Sequence, residues 1–431
     1  MNSLTASSEI VAWIGLDWAD QEHVYRLQAA ASDSVEAGVF SQKPEALHAW
    51  VARLRARFPQ GQVAVALEQS RGALIYALMN YDFLLLYPVA PQVLARYRKA
   101  FCPSGAKSDP EDADLLLELL RCHRDRLRPW APDDTLTRHL RLLVEQRRKL
   151  VDDRTRLSHR LSAWLKQAFP QALDWVGELS SPPALEFLSR WPSLVAVQQA
   201  GRSALRHFYL AHGGRDPGWV ETRLAEIVNA RPLTSDAAVL QVATQMTSVL
   251  VRQLRSLQPE IEELERSTQE LFQQHPDHAL FDSFPGAGKV FAPRLLVAFG
   301  SDRDRYADAA EMQQFSGIAP VTRRSGKIHV VHRRRARPKF LCQSFHEFAA
   351  LSIAWSAWAK AYYLQQRIRG LRHHAAVRAL AYKWIRILYR CWKDGTPYDE
   401  RLYHEALLRR GSRISLVLES QVASAEGGRK K

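Results

Sequence analysis

Cysteine is scarce: Cys102, Cys122, Cys342 and Cys391 are the four in 431 residues, and no two of them form a CxxC pair. That spacing excludes a structural zinc site of the common kinds and a disulfide framework, so the thiols are expected to be reduced and mostly buried. Long apolar runs are missing too. "FLLLYPVA" is broken by Pro88, and nothing reaches the length of a bilayer-spanning helix. The N-terminus "MNSLTASSEI" lacks the basic start and apolar stretch of a secretory signal, which predicts a cytoplasmic protein with no membrane partner. Acids are in deficit. Sixty Lys and Arg stand against 45 Asp and Glu, a formal net charge of +15. Such a surface attracts polyanions, nucleic acid ahead of an anionic membrane.

What is present supports a folded, multidomain chain, since 46% hydrophobic content is enough for two or three domains with real cores. Residues 11 to 90 alternate between two periods. "VAWIGLDW", "EHVYRLQAA" and "SVEAGVF" read as three strands in a meander; "PEALHAWVARLRARF" has helical spacing; "QVAVALEQ", a helix from Gly72 and "FLLLYPVA" complete the series. This order is compatible with a ribonuclease-H-like α/β domain, and other mixed sheets share it.

From Asp133 the chain turns helical. Leu136, Leu140, Leu143, Leu150, Leu157, Leu161 and Trp164 keep a three-four spacing, with Arg147 and Arg154 at two seam positions. Leu250, Leu254, Leu257, Ile261, Leu264 and Leu271 form a second heptad run, in which Pro259 predicts a kink or a helix restart near Gln258. The two helices are free to pair with each other or with another subunit. Residues 170 to 235 carry no recognisable chemistry. A basic, loop-rich stretch and further helices follow, and the last helix, "VRALAYKWIRILYRCWKDG", sets Leu380, Trp384, Ile387 and Cys391 on one stripe with Lys383, Arg386, Arg390 and Lys393 on its flank.

Acids concentrate in "AKSDPEDADLL", residues 106 to 116. Ser108 or Asp109 before Pro110 has the form of a helix start, and acids suit the positive end of the macrodipole, so a solvated capping turn is the bland reading. Two further acids argue for more. Asp17 closes one apolar strand and Glu68 another, places where a carboxylate is costly to desolvate unless a positive charge meets it. Asp109 and Asp112, three apart, project from one helical face. Four carboxylates at one end of a sheet would hold two magnesium ions about 4 Å apart, the arrangement that clamps the attacking and leaving oxygens of a phosphodiester. Glu111 and Asp114 fall roughly 100° and 200° round the helix from Asp112 and stay outside this set.

The set "IGLDWA", "ALEQSRG" and "AKSDPEDADLL" resembles the RuvC-like N-terminal domain of DEDD transposases from bacterial insertion sequences, the bridge-RNA-guided recombinases. The resemblance implies Asp17, Glu68, Asp109 and Asp112 as catalytic metal ligands and matches Lys107 as well; "QSRG" stands where the family more often has "ATG". "FPGAGKVFAPRLLVAFG" resembles the family's helix-hairpin-helix-like element, in which Gly286, Gly288 and Lys289 would approach phosphate oxygens. It is no Walker loop, having Ser283 and Val290 where Gly and Ser or Thr are needed. "FSGIAPVTRRSGKIHVVHRRRARPKF" matches the block that carries the family's nucleophilic serine, here Ser325. Arg323, Arg324 and Lys327 flank it, and Arg333, Arg334, Arg335, Arg337 and Lys339 form a basic run suited to phosphates.

The resemblance, which covers roughly residues 10–130 and 278–395, together with the heptad spacing gives an expected α/β plus all-α architecture: a RuvC-like catalytic domain over 8–130, a coiled-coil and helical middle region over 131–277, a C-terminal transposase domain with the serine over 278–400, and a partly disordered tail over 401–431. The implied activity is DNA strand cleavage and rejoining through a covalent phosphoserine, with Mg2+, donor and target DNA, a guide RNA and a homodimer or homotetramer. The alternatives are a metal-dependent junction resolvase that uses water, and an inactive nucleic-acid-binding protein.

Overall fold

The computed structural model describes residues 9–68, 72–101, 108–214, 216–326 and 328–412. Lys107, Lys327 and most of the expected tail lie outside them. The chain forms two compact units, 1–132 and 133–431.

In the first unit β1 (Ile10–Asp17), β2 (Glu22–Ala29) and β3 (Glu36–Ser41) make an antiparallel meander. After α1 (Pro44–Arg57), β4 (Gln62–Leu67) pairs parallel with β1; after α2 (Ala73–Leu78), β5 (Leu84–Pro88) pairs parallel with β4. The resulting order is β3-β2-β1-β4-β5, a mixed sheet consistent with a ribonuclease-H-like domain. α3 (Pro91–Phe101) and α4 (Asp109–His123) complete the layer on one face.

Alternation along the strands builds two cores. Ala12, Ile14, Leu16, Val63, Val65 and Leu67 pack against Trp50, Val51 and Leu54 of α1 and Leu74, Ile75 and Leu78 of α2. Ala64, Ala66 and Tyr87 face the other way, onto Leu94 of α3 and Leu115, Leu116, Leu119 and Leu120 of α4. Small residues on that second face let α4 come close. At Gly15 a β-carbon would stand 2.1 Å from the Ala113 carbonyl oxygen and 2.4 Å from the Leu117 amide nitrogen.

The second unit is organised by two long helices, α5 (Thr135–Ala168) and, after the short helices α6 (Ala172–Val176), α7 (Pro182–Arg190), α8 (Leu194–Gln199), α9 (Arg202–Ala211) and α10 (Pro217–Asn229), α11 (Ala237–Gln274). They pack along each other within one chain. Arg147 bonds Glu265 (Nε to Oε1, 2.8 Å) while Arg154 bonds Gln258 (3.1 Å), so the helices run antiparallel. The two seam arginines therefore find polar partners on the facing helix.

Of the kink or restart expected at Pro259, the restart does not occur, and α11 passes through the proline. Pro259 and Arg255, whose carbonyl it leaves without an N–H partner, both lie on the exposed side, where water replaces the lost bond.

Each end of the pair belongs to a separate core. Leu161 and Leu165 of α5 and Leu250, Val251 and Leu254 of α11 join α7 to α10. Leu140 and Val144 of α5 and Phe272 of α11 join the C-terminal helices. These are α12 (His278–Asp282), α13 (Gly288–Phe299), α14 (Ala309–Phe315), α15 (Lys339–Trp355), α16 (Ala357–Ile368), α17 (His373–Asp394) and α18 (Glu400–Arg409). On α17 the expected stripe is buried at Leu380, Trp384 and Cys391 and widened by Val377, Ile385, Leu388 and Trp392. Among the described cysteines Cys342 and Cys391 are buried and Cys122 is exposed.

The loop expected after Pro320 is a β-hairpin, β6 (Val321–Ser325) paired with β7 (Ile328–His332). β-branched Val, Thr and Ile positions outweigh the charges that hide the pattern. Among the described residues no helix is long and apolar enough to cross a membrane.

Candidate functional site

Parallel pairing of β1 with β4 sets Leu16 beside Leu67, so the next residues, Asp17 and Glu68, leave neighbouring strands at the same sheet edge. Asp17 is only 7% exposed and Glu68 is half-buried. α4 brings the other two acids. Its N-cap Ser108 accepts the Glu111 amide (3.4 Å), which starts the helix so that Asp109 lies in its first turn and Asp112 one turn further on. Asp109 is exposed, whereas Asp112 is fully buried.

The other three carboxylates act on Asp17. Burial, then the charges of Asp112, Asp109 and Glu68, push the Asp17 carboxyl up from 3.8 to about 6, against a lowering hydrogen bond from the Trp18 backbone. The other acids of the turn point elsewhere: Asp114 receives Arg26 Nε of β2 at 2.8 Å, and Glu111 is exposed.

Arg98 of α3, which carries no sequence signal of function, donates from Nε (2.8 Å) and from Nη2 to the same Asp112 oxygen, Oδ1. Asp112 Oδ2 is buried and has no hydrogen-bond partner among the described residues. Among the described residues no three His, Cys, Asp or Glu side chains are arranged to hold a metal ion as they stand. The chemistry of the set still fits a hard divalent cation. It offers carboxylate oxygens only, one of them orphaned in the interior, and electrostatic strain that a cation would relieve.

Gly15 is the second residue that sequence reasoning missed. Without a β-carbon at that position α4 reaches β1 and carries Asp109 and Asp112 toward the strand end. Its only trace in the sequence is a small residue inside an otherwise bulky strand.

In the second unit Ser325 is exposed at the end of β6, paired with Ile328, next to Gly326 at φ +54° in the connecting turn. Period two divides the hairpin's side chains. Arg323, Val330 and Ile328 share the Ser325 face, whereas Arg324 pairs with His329 on the opposite one. Among the described residues the arm is open: Ile328 is 66% exposed, and Arg323 and Arg324 are exposed as well.

The remaining expected phosphate contacts differ in freedom. Arg333, Arg335 and Lys339 are exposed and Arg334 is half-buried. Arg337 is engaged, donating to the carbonyls of Arg334 (2.5 Å) and Arg335 (3.2 Å), and its stem fills the space above Gly317. Gly286, at φ +77°, lies against the Trp355 indole, which a β-carbon would meet at 2.8 Å, so the packing of the turn itself requires this glycine. Gly288 and Lys289 are exposed, with open space above Gly288.

Two family models match the chain: a DEDD transposase model of the IS110 type over residues 14–170, and one described as Transposase IS116/IS110/IS902 family over residues 278–364. A Streptomyces coelicolor protein assigned as the mini-circle transposase for IS117 is 29% identical over 80% of this chain and 85% of its own length. A Mycobacterium paratuberculosis insertion element IS900 protein is 26% identical over 90% of this chain and 96% of its own. An insertion element IS110 protein of Streptomyces coelicolor is 27% identical, over 92% and 97% of the two chains.

Proposed function

Because the chain belongs to the DEDD transposases of IS110-type insertion sequences, enzymes that cleave and recombine DNA, we propose that it does so by serine-mediated transesterification at paired DNA sites. The observation that carries the proposal is that Glu68, Asp109 and Asp112 all act on Asp17 at one end of the sheet, with one Asp112 oxygen buried and unsatisfied among the described residues.

Asp17, Glu68, Asp109 and Asp112 would hold a pair of magnesium ions, which when bound would offset charge on the attacking and leaving oxygens. Ser325 supplies the nucleophile. Its oxygen bonds the DNA phosphorus and gives up its proton, while the bond from phosphorus to a deoxyribose oxygen breaks and that oxygen leaves as a hydroxyl. Attack by a hydroxyl of a different strand on the phosphoserine reverses the exchange and rejoins DNA. Arg323, on the Ser325 face, is placed to offset charge on the pentavalent phosphorus; Arg333, Arg334, Arg335 and Lys339 bind flanking phosphates, joined by Lys107, Lys327, Gly288 and Lys289.

We assign 8–130 to the RuvC-like catalytic domain, 131–277 to a coiled-coil and helical connector, and 278–400 to the serine-bearing domain with a helix-hairpin-helix-like element. A guide RNA that pairs with donor and target DNA, and a homo-oligomer, complete the assembly. The net charge of +15 supports two polyanionic partners.

End-labelled DNA incubated with wild-type protein, Mg2+ and RNA transcribed from the element's flank is expected to yield a protein–DNA adduct that S325A does not form. Cleavage by S325A at the wild-type rate would instead establish hydrolysis by water, as in a junction resolvase. RNA copurified with the protein and sequenced is expected to be one defined species, and a random population would remove the guide from the proposal.

A further inference from the structure

We infer that Arg98 is a positioning residue for the carboxylate cluster: it fixes one oxygen of Asp112 and leaves the other turned to the cation. The inference rests on the reading of these acids as a metal site. A guanidinium facing a carboxylate usually places one N–H on each oxygen. Arg98 does otherwise. Its Nε and Nη2 both donate to Oδ1, at 2.8 Å for the first, and Oδ2 receives no hydrogen bond from the described residues although Asp112 is completely buried. A buried carboxyl oxygen left without a partner is costly unless a cation visits it. The division of labour between the two oxygens is that of a metal ligand whose second oxygen is held by the protein.

Two effects of Arg98 oppose each other, and geometry selects between them. Its positive charge near the cluster would weaken binding of a dication, whereas its hold on Asp112 orders a ligand that would otherwise turn away from its neighbour Asp17. One guanidinium against four carboxylates leaves the cluster strongly negative, so the repulsion is the smaller effect. The ordering dominates. Arg98 is itself only 15% exposed at its side chain, fixed between α3 and α4, and so loses little freedom in this role.

The test is Mn2+ binding to the full-length protein, followed by electron paramagnetic resonance. R98Q is expected to weaken Mn2+ binding about 10-fold or more, the usual consequence of removing the partner that orients a metal ligand. R98K, which keeps the charge and loses the two-pronged hold, is expected to lie between R98Q and wild type. Equal or tighter binding by R98Q would overturn the inference and make Arg98 a competing cation. If R98Q does not fold, R98K decides alone, because binding as tight as wild type would likewise overturn it. D112N separates this failure from failure of the site: if D112N binds Mn2+ like wild type, the acids are not the metal site at all.

Discussion

Gly15 of β1 and Ala113 of α4 approach so closely that a methyl group on the glycine would stand 2.1 Å from the alanine's carbonyl oxygen. Backbone lies against backbone there, one residue from Asp112 on the helix and two residues from Asp17 on the strand. The distance between these two acids is thus set by a residue that has no side chain.

Gly15→Ala is expected to push α4 off the sheet. Overpacking of this kind costs about 1–3 kcal/mol, and more where the obstacle is backbone. Urea denaturation is expected to show the loss of stability, and Mn2+ titration of the folded variant a weaker site. Unchanged Mn2+ affinity would mean that the helix position does not control the cluster.

The raised Asp17 carboxyl makes the metal-free protein sensitive to pH in a defined window. The folded state holds this proton to about 6, the unfolded chain only to 3.8, so the contribution to stability is full below about 4 and is lost as pH rises through 6. Relative to D17N, wild type in EDTA is expected to lose on the order of 2 kcal/mol across that interval. Thermal melts of both proteins at several pH values measure it; parallel curves would refute the assignment.

The pleat of the hairpin distinguishes two adjacent arginines. Arg323 shares the face of Ser325, and Arg324 faces away with His329. R323A is expected to slow adduct formation by about 100-fold, the scale of losing one charge-stabilising donor. R324A is expected to weaken DNA binding and its salt dependence while leaving adduct formation on saturated DNA nearly normal. Equal losses of chemistry in both variants would show that the arm does not act with this polarity.

Asp133 is a buried anchor at the start of the second unit. It receives Arg305 Nη2 at 2.6 Å, Arg141 Nη2 at 2.7 Å and the Ser301 amide at 2.9 Å. Asp133→Ala takes the carboxylate from two guanidiniums that are partly exposed and that each keep a backbone carbonyl, which puts the expected loss at the lower end of the range for broken buried pairs, about 3 kcal/mol. Chemical denaturation reads it directly, and a change within 0.5 kcal/mol, the noise of surface substitutions, would contradict the ion-pair account.

Much of the first unit was legible because its strands keep period two and its helices three-four spacing. "QVAVAL" and "LLLYP" are strands for that reason, and Asp17 and Glu68 stood out as charges closing apolar runs. Asp109 and Asp112 could be set on one face because helical geometry fixes residues three apart. Arg98 was not legible. Its bond to Asp112 crosses from one helix to another, and no spacing rule encodes such a contact. The hairpin was hidden by arginine, histidine and serine at positions where strands of a buried sheet would be apolar. At Pro259 a local rule left a kink and a restart both open, and the restart is excluded because α11 continues through the proline, which lies on its exposed face.

α5 and α11 contribute side chains to two separate hydrophobic clusters, one near each end of the pair. Neither cluster can melt without fraying helices that the other needs. The small helices α6 to α10 and the C-terminal bundle are thereby thermodynamically yoked, and calorimetry of the second unit will register a single cooperative transition.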